Sequence, residues 1–341
     1  MNLLGLICGL SLFLFGMEIM GNSLKNSAGE RLSLVLERFT SSGFRGFLLG
    51  LSTTAVIQSS SAVTVMVVGF VNSGAMLLSA AITVIIGANV GTVFTTWLTA
   101  LNGVSSDGSA LRIFQYLKPD FWMPILALIG IILLTFSKKQ GLRDIATVLL
   151  GFSVLMVGMS LMSSAVAPLK DNQSFVNILT IFKNPIMGVL AGAVLTVIVQ
   201  SSSASIGILQ ALSTTGAINF SMAIPIILGQ NIGTCVTAML SSVNANKNGK
   251  RAAFVHLYFN LFGVVAWLSL YYLVAYLLGA FGIFDAFSAA EASSIDMWGI
   301  AIVHTLFNVL NAIAFAPFTR LLERLVRLTV RGNDEDGAVV E

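Results

Sequence analysis

The sequence predicts an all-α polytopic membrane protein made of two inverted-topology repeats, each with a re-entrant helical hairpin and a discontinuous helix. The first observation is composition, because only 10% of the 341 residues are charged and 56% are hydrophobic, whereas soluble domains carry roughly 25% charged residues. The second is the recurrence of uncharged apolar stretches close to the roughly 20 residues that a helix needs to cross a bilayer. The third is an internal duplication. The composition excludes a soluble enzyme and a disordered chain.

Apolar stretches follow one another along the whole chain. The first begins at Asn2 and runs past Gly16 without the basic flank and cleavage site of a signal peptide, so we expect a retained helix. Further spans are predicted at 121–137, 145–169, 252–279 and 297–319. Two longer tracts contain the most unusual sequence of the protein: 46–108, which is uncharged apart from Asp107, and 184–246, which is uncharged.

These two tracts repeat the same motifs at a constant offset of 142 residues. Gln58-Ser59-Ser60-Ser61-Ala62 recurs as Gln200-Ser201-Ser202-Ser203-Ala204, and the Gly-x-Asn-[Ile/Val]-Gly-Thr element at 87–92 recurs at 229–234. Without any gap, residues 46–101 and 188–243 share 21 identities in 56 positions, and the same register extends upstream to residues 9–20 and 151–162. The chain is therefore a duplication whose unit begins at the first helix.

The number of crossings in one unit predicts that the second repeat is inverted. The first helix, a hairpin that enters and leaves on one side, and two later helices give three crossings, which is an odd number. The predicted first repeat is 1–137 with its hairpin at about 46–72, the second is 138–279 with its hairpin at about 185–215, and 280–319 forms an additional membrane helix region. This topology puts 14 of the 18 Lys and Arg residues on one side, leaving Arg112, Lys118, Lys170 and Lys183 on the other. The positive-inside rule then predicts a cell-membrane protein with a cytoplasmic C-terminus and an external N-terminus.

The C-terminal residues 320–341 have a different pattern. Arg320, Arg324, Arg327 and Arg331 recur at helical spacing opposite leucines. This pattern predicts an amphipathic helix on the anionic cytoplasmic leaflet, followed by a disordered acidic end at 334–341.

The Gln-Ser-Ser-Ser motif is predicted to form the tip of each hairpin, where one half-helix ends and the next begins. Irregular backbone at membrane depth is tolerated only where it is buried in protein or lines a cavity. Serine is a favoured N-cap, and the free N–H groups of the second half-helix bind an oxyanion. The oxygens of Gln, Ser and Thr are hard ligands of the kind that sodium accepts. The glycines and amide of the Gly-x-Asn-[Ile/Val]-Gly-Thr element predict a discontinuous helix facing the hairpin, as in transporter binding sites.

Charge is absent from both motif tracts, since neither 46–101 nor 188–243 contains Lys, Arg, Asp or Glu. A polyanion bound there would meet helix dipoles and hydroxyls but no fixed positive charge, and an uncompensated charge in a low dielectric is costly. We therefore expect co-bound cations, and hence ion coupling.

At these residues the sequence resembles the type II sodium-phosphate cotransporter family, whose hallmark is paired Gln-Ser-Ser-Ser motifs in inverted repeats, each followed by a Gly-x-Asn-[Ile/Val]-Gly-Thr element. The resemblance covers most of residues 3–320 and implies sodium-driven uptake of inorganic phosphate. The family's sodium-associated threonine, six residues after the glutamine, is Thr64 in the first repeat but Ile206 in the second, so the number of sodium sites stays open. Some bacterial relatives carry a soluble C-terminal regulatory domain, which we expect this chain to lack.

The predicted site combines residues from both motifs of each repeat. The substrate-binding residues are Gln58, Ser59, Ser60, Ser61, Gln200, Ser201, Ser202, Ser203, Asn89 and Asn231. The predicted sodium ligands are Gln58, Ser60, Thr64, Thr92, Thr95, Gln200, Ser202, Thr234 and Thr237. The expected partners are inorganic phosphate, sodium ions and the lipid bilayer. No catalytic residue, cofactor or nucleic-acid partner is expected, and the sequence does not indicate an oligomeric state.

A few polar residues outside these motifs are also candidates for function, and the sequence leaves alternative functions open. His256 with Asn260, and His304 with Asn308, each share a helix face, and we expect interhelical hydrogen bonds from them ahead of substrate contacts. Glu18 is expected at the membrane interface ahead of a proton or sodium site. The alternative functions are a transporter of another oxyanion or small carboxylate, and an anion channel. An intramembrane serine hydrolase is disfavoured, because neither motif tract contains a His or carboxylate base.

Overall fold

The computed structural model describes residues 2–38, 43–103, 119–280 and 291–332, and these ranges contain helices but no strand beyond an isolated bridge between Asn219 and Ser294. The α-helices are α1 (Leu3–Arg38), α2 (Gly43–Ile57), α3 (Ser60–Asn72), α4 (Leu78–Gly91), α5 (Val93–Ala100), α6 (Pro119–Phe136), α7 (Gln140–Val166), α8 (Gln173–Leu179), α9 (Pro185–Val199), α10 (Ser202–Ser213), α11 (Phe220–Ser241), α12 (Lys247–Ala280), α13 (Met297–Phe315) and α14 (Thr319–Thr329).

Six helical segments in the described ranges are long and apolar enough to cross a membrane. They are Leu3–Asn26, Leu78–Gly103, Gln140–Leu169, Phe220–Ser241, Lys247–Leu278 and Met297–Thr329. The apolar helix Phe121–Phe136 is shorter, as are Gly43–Ile57 and Ser60–Asn72. The chain is thus an all-α, multi-pass membrane protein, as its composition predicts.

The two repeat units also make equivalent helix-packing contacts. In the first unit α2 packs on α4, and a Cβ added at Gly50 would lie 2.0 Å from the carbonyl oxygen of Val84. In the second unit α9 packs on α11, and a Cβ at Gly192 would lie 2.0 Å from the carbonyl oxygen of Ile226. Both pairs of positions are related by the 142-residue offset. Glycine at these crossings therefore brings the helix backbones into direct contact.

Helices α1 and α7, which are equivalent in the two units, pack antiparallel. A Cβ at Gly16 would lie 2.3 Å from the backbone nitrogen of Leu155, and a Cβ at Gly158 would lie 2.3 Å from that of Phe13. The repeat offset maps residue 16 onto 158 and residue 13 onto 155. Each contact therefore has a reciprocal partner, which is the relation that a two-fold axis produces.

The predicted break at the Gly-x-Asn-[Ile/Val]-Gly-Thr elements is largely wrong. Helix α11 is continuous through the second copy, and in the first copy only Thr92 separates α4 from α5. The glycines serve close packing, since a Cβ at Gly87 or Gly229 would lie 2.0 Å from the carbonyl oxygen of Phe47 or Val189, respectively. Small residues at these positions let two helices approach closely, and α11 passes through the second copy without a break.

Helix α14 is amphipathic as predicted, but its apolar face contacts protein. Leu322 and Val326 are 1% and 0% exposed and pack in the cluster formed with α4 and α12. Arg320 and Arg324 are exposed. Helices α4 and α12 thus bury part of the apolar face, while Leu321 and Leu328 are exposed, and contact of α14 with the lipid leaflet stays a prediction. The acidic end at 334–341 lies outside the described residues.

Arg251, near the start of α12, hydrogen-bonds to the residues that directly follow α14. It is only 2% exposed, and its Nε and Nη2 atoms donate to the carbonyl oxygens of Val330 (3.1 Å) and Gly332 (2.8 Å). Each hydrogen bond from a charged group contributes about 1.5–3 kcal/mol. We predict that Arg251→Ala releases this end and makes 319–332 several-fold more sensitive to limited proteolysis. Arg324→Ala, on the exposed face of α14, is the control and should behave like the wild type. Equal cleavage of both variants would contradict the anchoring role.

Candidate functional site

The two hairpin tips have the same backbone conformation. Gln58 and Gln200 have φ angles of 61° and 56°, in the left-handed region that residues other than glycine rarely adopt. The serines that follow, Ser59 and Ser201, are extended, and each accepts a hydrogen bond of 3.2 Å from the backbone N–H three residues later. The glutamine thus ends one helix and the serine caps the next. This confirms that serine caps a helix at each predicted tip.

Both tips line one cavity of about 270 Å³, and residues of α1 form another part of its wall. The lining residues are Met17, Glu18, Gly21, Asn22, Lys25, Ile57, Gln58, Ser59, Ser60, Ser61, Ala62, Gln200, Ser201, Ser202 and Ser203. The fold therefore brings together both copies of the Gln-Ser-Ser-Ser motif, although they lie 142 residues apart in the sequence.

Helices α3 and α10 both begin at this cavity, at Ser60 and Ser202. The first N–H groups of a helix have no partner within it, and the N-terminus carries roughly half a positive charge. Two such ends at one cavity, with serine hydroxyls between them, form an environment suited to an oxyanion.

The two glutamines at the tips differ in their surroundings. Gln58 is 8% exposed, and its Oε1 accepts a hydrogen bond of 2.7 Å from Thr95 Oγ1 on α5. Gln200 is exposed, and Thr237, the equivalent of Thr95, is half-buried. The first tip is therefore held against α5, while the glutamine of the second tip is accessible.

Several predicted site residues lie outside the cavity lining. Asn89 and Asn231 donate to the carbonyl oxygens of Ile85 and Ile227 within their own helices. Thr92 and Thr234 likewise bond to backbone carbonyls one turn earlier. These side chains occupy helix-packing positions, because α4 and α11 pass beside the hairpins and not through the tip cavity. Thr64 is fully buried, and its hydroxyl has no hydrogen-bond partner among the described residues. The ligand roles of these five residues, and of Thr95 and Thr237, stay predictions.

In the two His–Asn pairs, His256, Asn260 and His304 make the predicted interhelical hydrogen bonds, whereas Asn308 donates to the carbonyl oxygen of His304 in its own helix. On α12, His256 Nε2 and Asn260 Nδ2 contact Asn89 Oδ1 on α4 at 3.3 and 3.2 Å. On α13, His304 Nδ1 contacts Thr96 Oγ1 on α5 at 3.0 Å. Both histidines are fully buried and lie outside the cavity lining. They connect α12 and α13 to the helices that follow the first hairpin.

Two charged residues in the cavity were not predicted. Glu18 and Lys25 of α1 line it together with Asn22, so the expectation of a site without fixed charge is wrong. The motif tracts themselves are uncharged, but a helix from outside them supplies the charge. Positions 18, 22 and 25 share one helix face, which was the signal in the sequence. Tertiary packing brings this face to the tips, and the spacing of the residues alone does not predict that packing.

A larger groove of about 430 Å³ lies between α2, α4 and α13. Apart from Thr83 and Thr319, its lining is apolar or glycine and carries no charge. Because it offers few groups that could bind an ion, the tip cavity remains the candidate site.

Comparison with known proteins agrees with this description. The sequence profile of the Na+/Pi-cotransporter family matches the chain twice, at residues 12–164 and 155–304. The protein YqeW of Bacillus subtilis (strain 168), whose name describes it as uncharacterized, is 31% identical over 319 residues, covering 93% of this chain and 95% of YqeW. No solved structure matches the chain significantly.

Two further relatives have names that state a substrate. The "Putative inorganic phosphate export protein YjbB" of Salmonella typhimurium is 26% identical over 336 residues, covering 98% of this chain and 57% of that protein. The chain thus spans little more than half the length of YjbB. Sodium-dependent phosphate transport protein 2A of Mus musculus is 34% identical over 151 residues, covering 42% of this chain and 22% of that protein. Because the family profile matches each half of a chain whose two halves also share one architecture, the protein belongs to the Na+/Pi-cotransporter family.

Proposed function

We propose that the protein is a sodium-coupled secondary active transporter that imports inorganic phosphate across the cell membrane by alternating access. Phosphate and sodium bind at the two Gln-Ser-Ser-Ser tips. The observation that carries this proposal is the single cavity onto which both serine-capped tips and two helix N-termini open. The names of the relatives support phosphate as the substrate class.

The proposed topology has inverted repeats, with the α2–α3 hairpin entering from the cytoplasm and the α9–α10 hairpin from outside. The antiparallel, reciprocal packing of α1 on α7 supports inversion. Contacts at the helix ends agree with it. Asn246, just before α12, donates two hydrogen bonds of 2.7 Å to Asn72, the last residue of α3, at the proposed cytoplasmic end. Asn219 and Ser294 form their bridge at the proposed outer end.

In this topology the tip cavity faces the cytoplasm. Lys25, on its rim, lies near the proposed cytoplasmic end of α1, and Gln200 from the outer hairpin is accessible from the cavity. In the opposite state, Gln58 would lose its hydrogen bond to α5 and Gln200 would become buried against its own neighbouring helix. The site would then open to the other side of the membrane. The different surroundings of Gln58 and Gln200 support such a two-state cycle.

The energetics of import set a minimum coupling. One sodium ion entering down a tenfold gradient and about 100 mV releases about 1.4 plus 2.3 kcal/mol. A phosphate dianion entering against the same potential costs about twice 2.3 kcal/mol from the potential alone. Import of the dianion therefore requires more than one sodium ion per phosphate. The name of YjbB refers to export, so flux must be measured in both directions.

The test of substrate and coupling is binding to the purified protein. Calorimetric titration with phosphate, arsenate, sulfate and dicarboxylates is carried out in sodium chloride and in choline chloride at equal ionic strength. We expect phosphate to bind at least tenfold more tightly in sodium, and sulfate and dicarboxylates to compete poorly. Tighter binding of sulfate or a dicarboxylate would assign another anion to the site. Phosphate affinity that is equal in both salts would contradict sodium coupling.

A further inference from the structure

We infer that Glu18 of α1 is a sodium-binding residue of the tip cavity, and that the cation it binds sets the affinity of the cavity for its anion. This rests on the proposed function, since it deepens the coupling mechanism of the same site. It concerns a residue outside both repeat motifs, on a helix that the motif pattern does not single out.

The first observation is position. Glu18 and Asn22 are exposed side chains one turn apart on α1, and both line the cavity together with the serine tips. A sphere of 270 Å³ is roughly 8 Å across. A cation at the carboxylate is therefore close enough to an anion at the tips for the two charges to interact strongly.

The second observation is that the carboxylate of Glu18 has no hydrogen bond or ion pair among the described residues. Glu323, by contrast, pairs with Arg327 at 2.8 Å. Lys25 also lines the cavity but stands seven residues further along α1, about 10 Å along the helix axis. The two side chains form no ion pair in the described part of the chain, so the carboxylate of Glu18 is left without a direct partner. The carboxylate, the amide of Asn22 and the serine hydroxyls are all oxygen ligands of the kind that hard cations prefer.

The third argument is the charge of the cavity. The N-termini of α3 and α10 contribute roughly half a positive charge each, while Lys25 and Glu18 cancel. The empty cavity thus offers about one positive charge to an anion. A phosphate dianion carries two negative charges, and a sodium ion on Glu18 supplies the missing positive charge. The anion should consequently bind most tightly when Glu18 carries its cation.

The fourth observation is that the charged residues Glu18 and Lys25 have no charged equivalents in the second repeat. The positions equivalent to Glu18 and Lys25 in the second repeat are Ser160 of α7 and Ala167, the residue that follows α7. Ser160 donates a hydrogen bond of 3.1 Å to Asn102. The duplicated motifs therefore provide two similar tips, while only α1 adds charged side chains to the cavity lining. The cation bound at Glu18 thus affects anion binding in the state in which the cavity is open at the end of α1 that carries Lys25.

The test is phosphate binding to purified wild-type protein and Glu18→Gln as a function of sodium, with choline as the replacement cation. Glutamine mimics the neutralised carboxylate. We expect Glu18→Gln to bind phosphate about tenfold more tightly than the wild type at low sodium, with a sodium Hill coefficient lower by about one. Disruption of the site would not raise affinity, so this gain distinguishes the proposed role from a structural one. Asp144→Asn, which removes a carboxylate from α7 outside the cavity lining, is the control and should keep the wild-type sodium dependence.

Glu18→Ser, with the side chain found at the equivalent position of α7, is a second neutral variant and should behave like Glu18→Gln. Wild-type sodium dependence in a folded Glu18→Gln or Glu18→Ser protein would overturn the inference. Wild-type phosphate binding that does not depend on sodium would contradict the sodium coupling of the proposed function, and with it the inference. If the wild type binds no phosphate in either salt, the proposed function itself fails. If the wild type binds phosphate with sodium dependence and the neutral variants do the same, only the inference about Glu18 fails.

Discussion

Gly50→Ala and Gly192→Ala are each expected to prevent formation of a stable, monodisperse protein. The added Cβ would lie 2.0 Å from a backbone carbonyl oxygen, that of Val84 or Ile226. Neither oxygen can move without displacing its whole helix. Overpacking of a core typically costs about 1–3 kcal/mol and more where the backbone must shift, so we expect at least the upper end of this range. Size-exclusion chromatography and the thermal unfolding midpoint in detergent measure the effect.

The matched control is Gly69→Ala in α3. Gly69 is exposed, and a Cβ added there would meet nothing within 4 Å. Alanine is a better helix former than glycine by about 1 kcal/mol, so this variant should be as stable as the wild type or more so. Equal stability of Gly192→Ala and Gly69→Ala would contradict the close packing of α9 on α11.

Ser60→Ala and Ser202→Ala are each expected to reduce phosphate affinity by about 10- to 100-fold, and the double variant should show no measurable transport. Each hydroxyl lies at the first residue of a helix that begins at the tip cavity. A hydrogen bond to a charged group contributes about 1.5–3 kcal/mol, which corresponds to this range. Phosphate binding and uptake by reconstituted protein measure the loss.

Ser73→Ala and Ser213→Ala are the controls, since they remove hydroxyls near the other ends of α3 and α10. Both hydroxyls bond to backbone carbonyls of their own hairpin and lie outside the cavity lining. Their affinity should remain within twofold of the wild type. Wild-type affinity in both Ser60→Ala and Ser202→Ala would remove the tips from the proposed site.

The hairpin tips could be predicted from the sequence because the signals for them are local. Serine favours an N-cap whatever surrounds it, and the motif occurs twice in one register. The left-handed backbone of Gln58 and Gln200 was not predicted, since nothing in the side chain of glutamine favours it. The caps and the packing of both half-helices offset the free-energy cost of this backbone conformation.

The Gly-x-Asn-[Ile/Val]-Gly-Thr elements show where local signals are ambiguous. Two glycines and an amide are compatible with a broken helix and equally with a close helix crossing. The structure has the crossing, because Gly87 and Gly229 meet the backbones of α2 and α9. The charge of the cavity could not be predicted from the motif tracts for a related reason. Glu18 and Lys25 reach the tips only through the packing of α1 in the folded protein.

Sodium-gradient-driven uptake of phosphate into proteoliposomes tests the central claim most directly. With sodium outside, choline inside and equal phosphate on both sides, the wild type should accumulate labelled phosphate above its external concentration. Uptake should collapse when a sodium ionophore dissipates the gradient, and the Ser60→Ala, Ser202→Ala double variant should show none. Phosphate that merely equilibrates, at the same rate with and without the sodium gradient, would contradict the account of a sodium-coupled transporter.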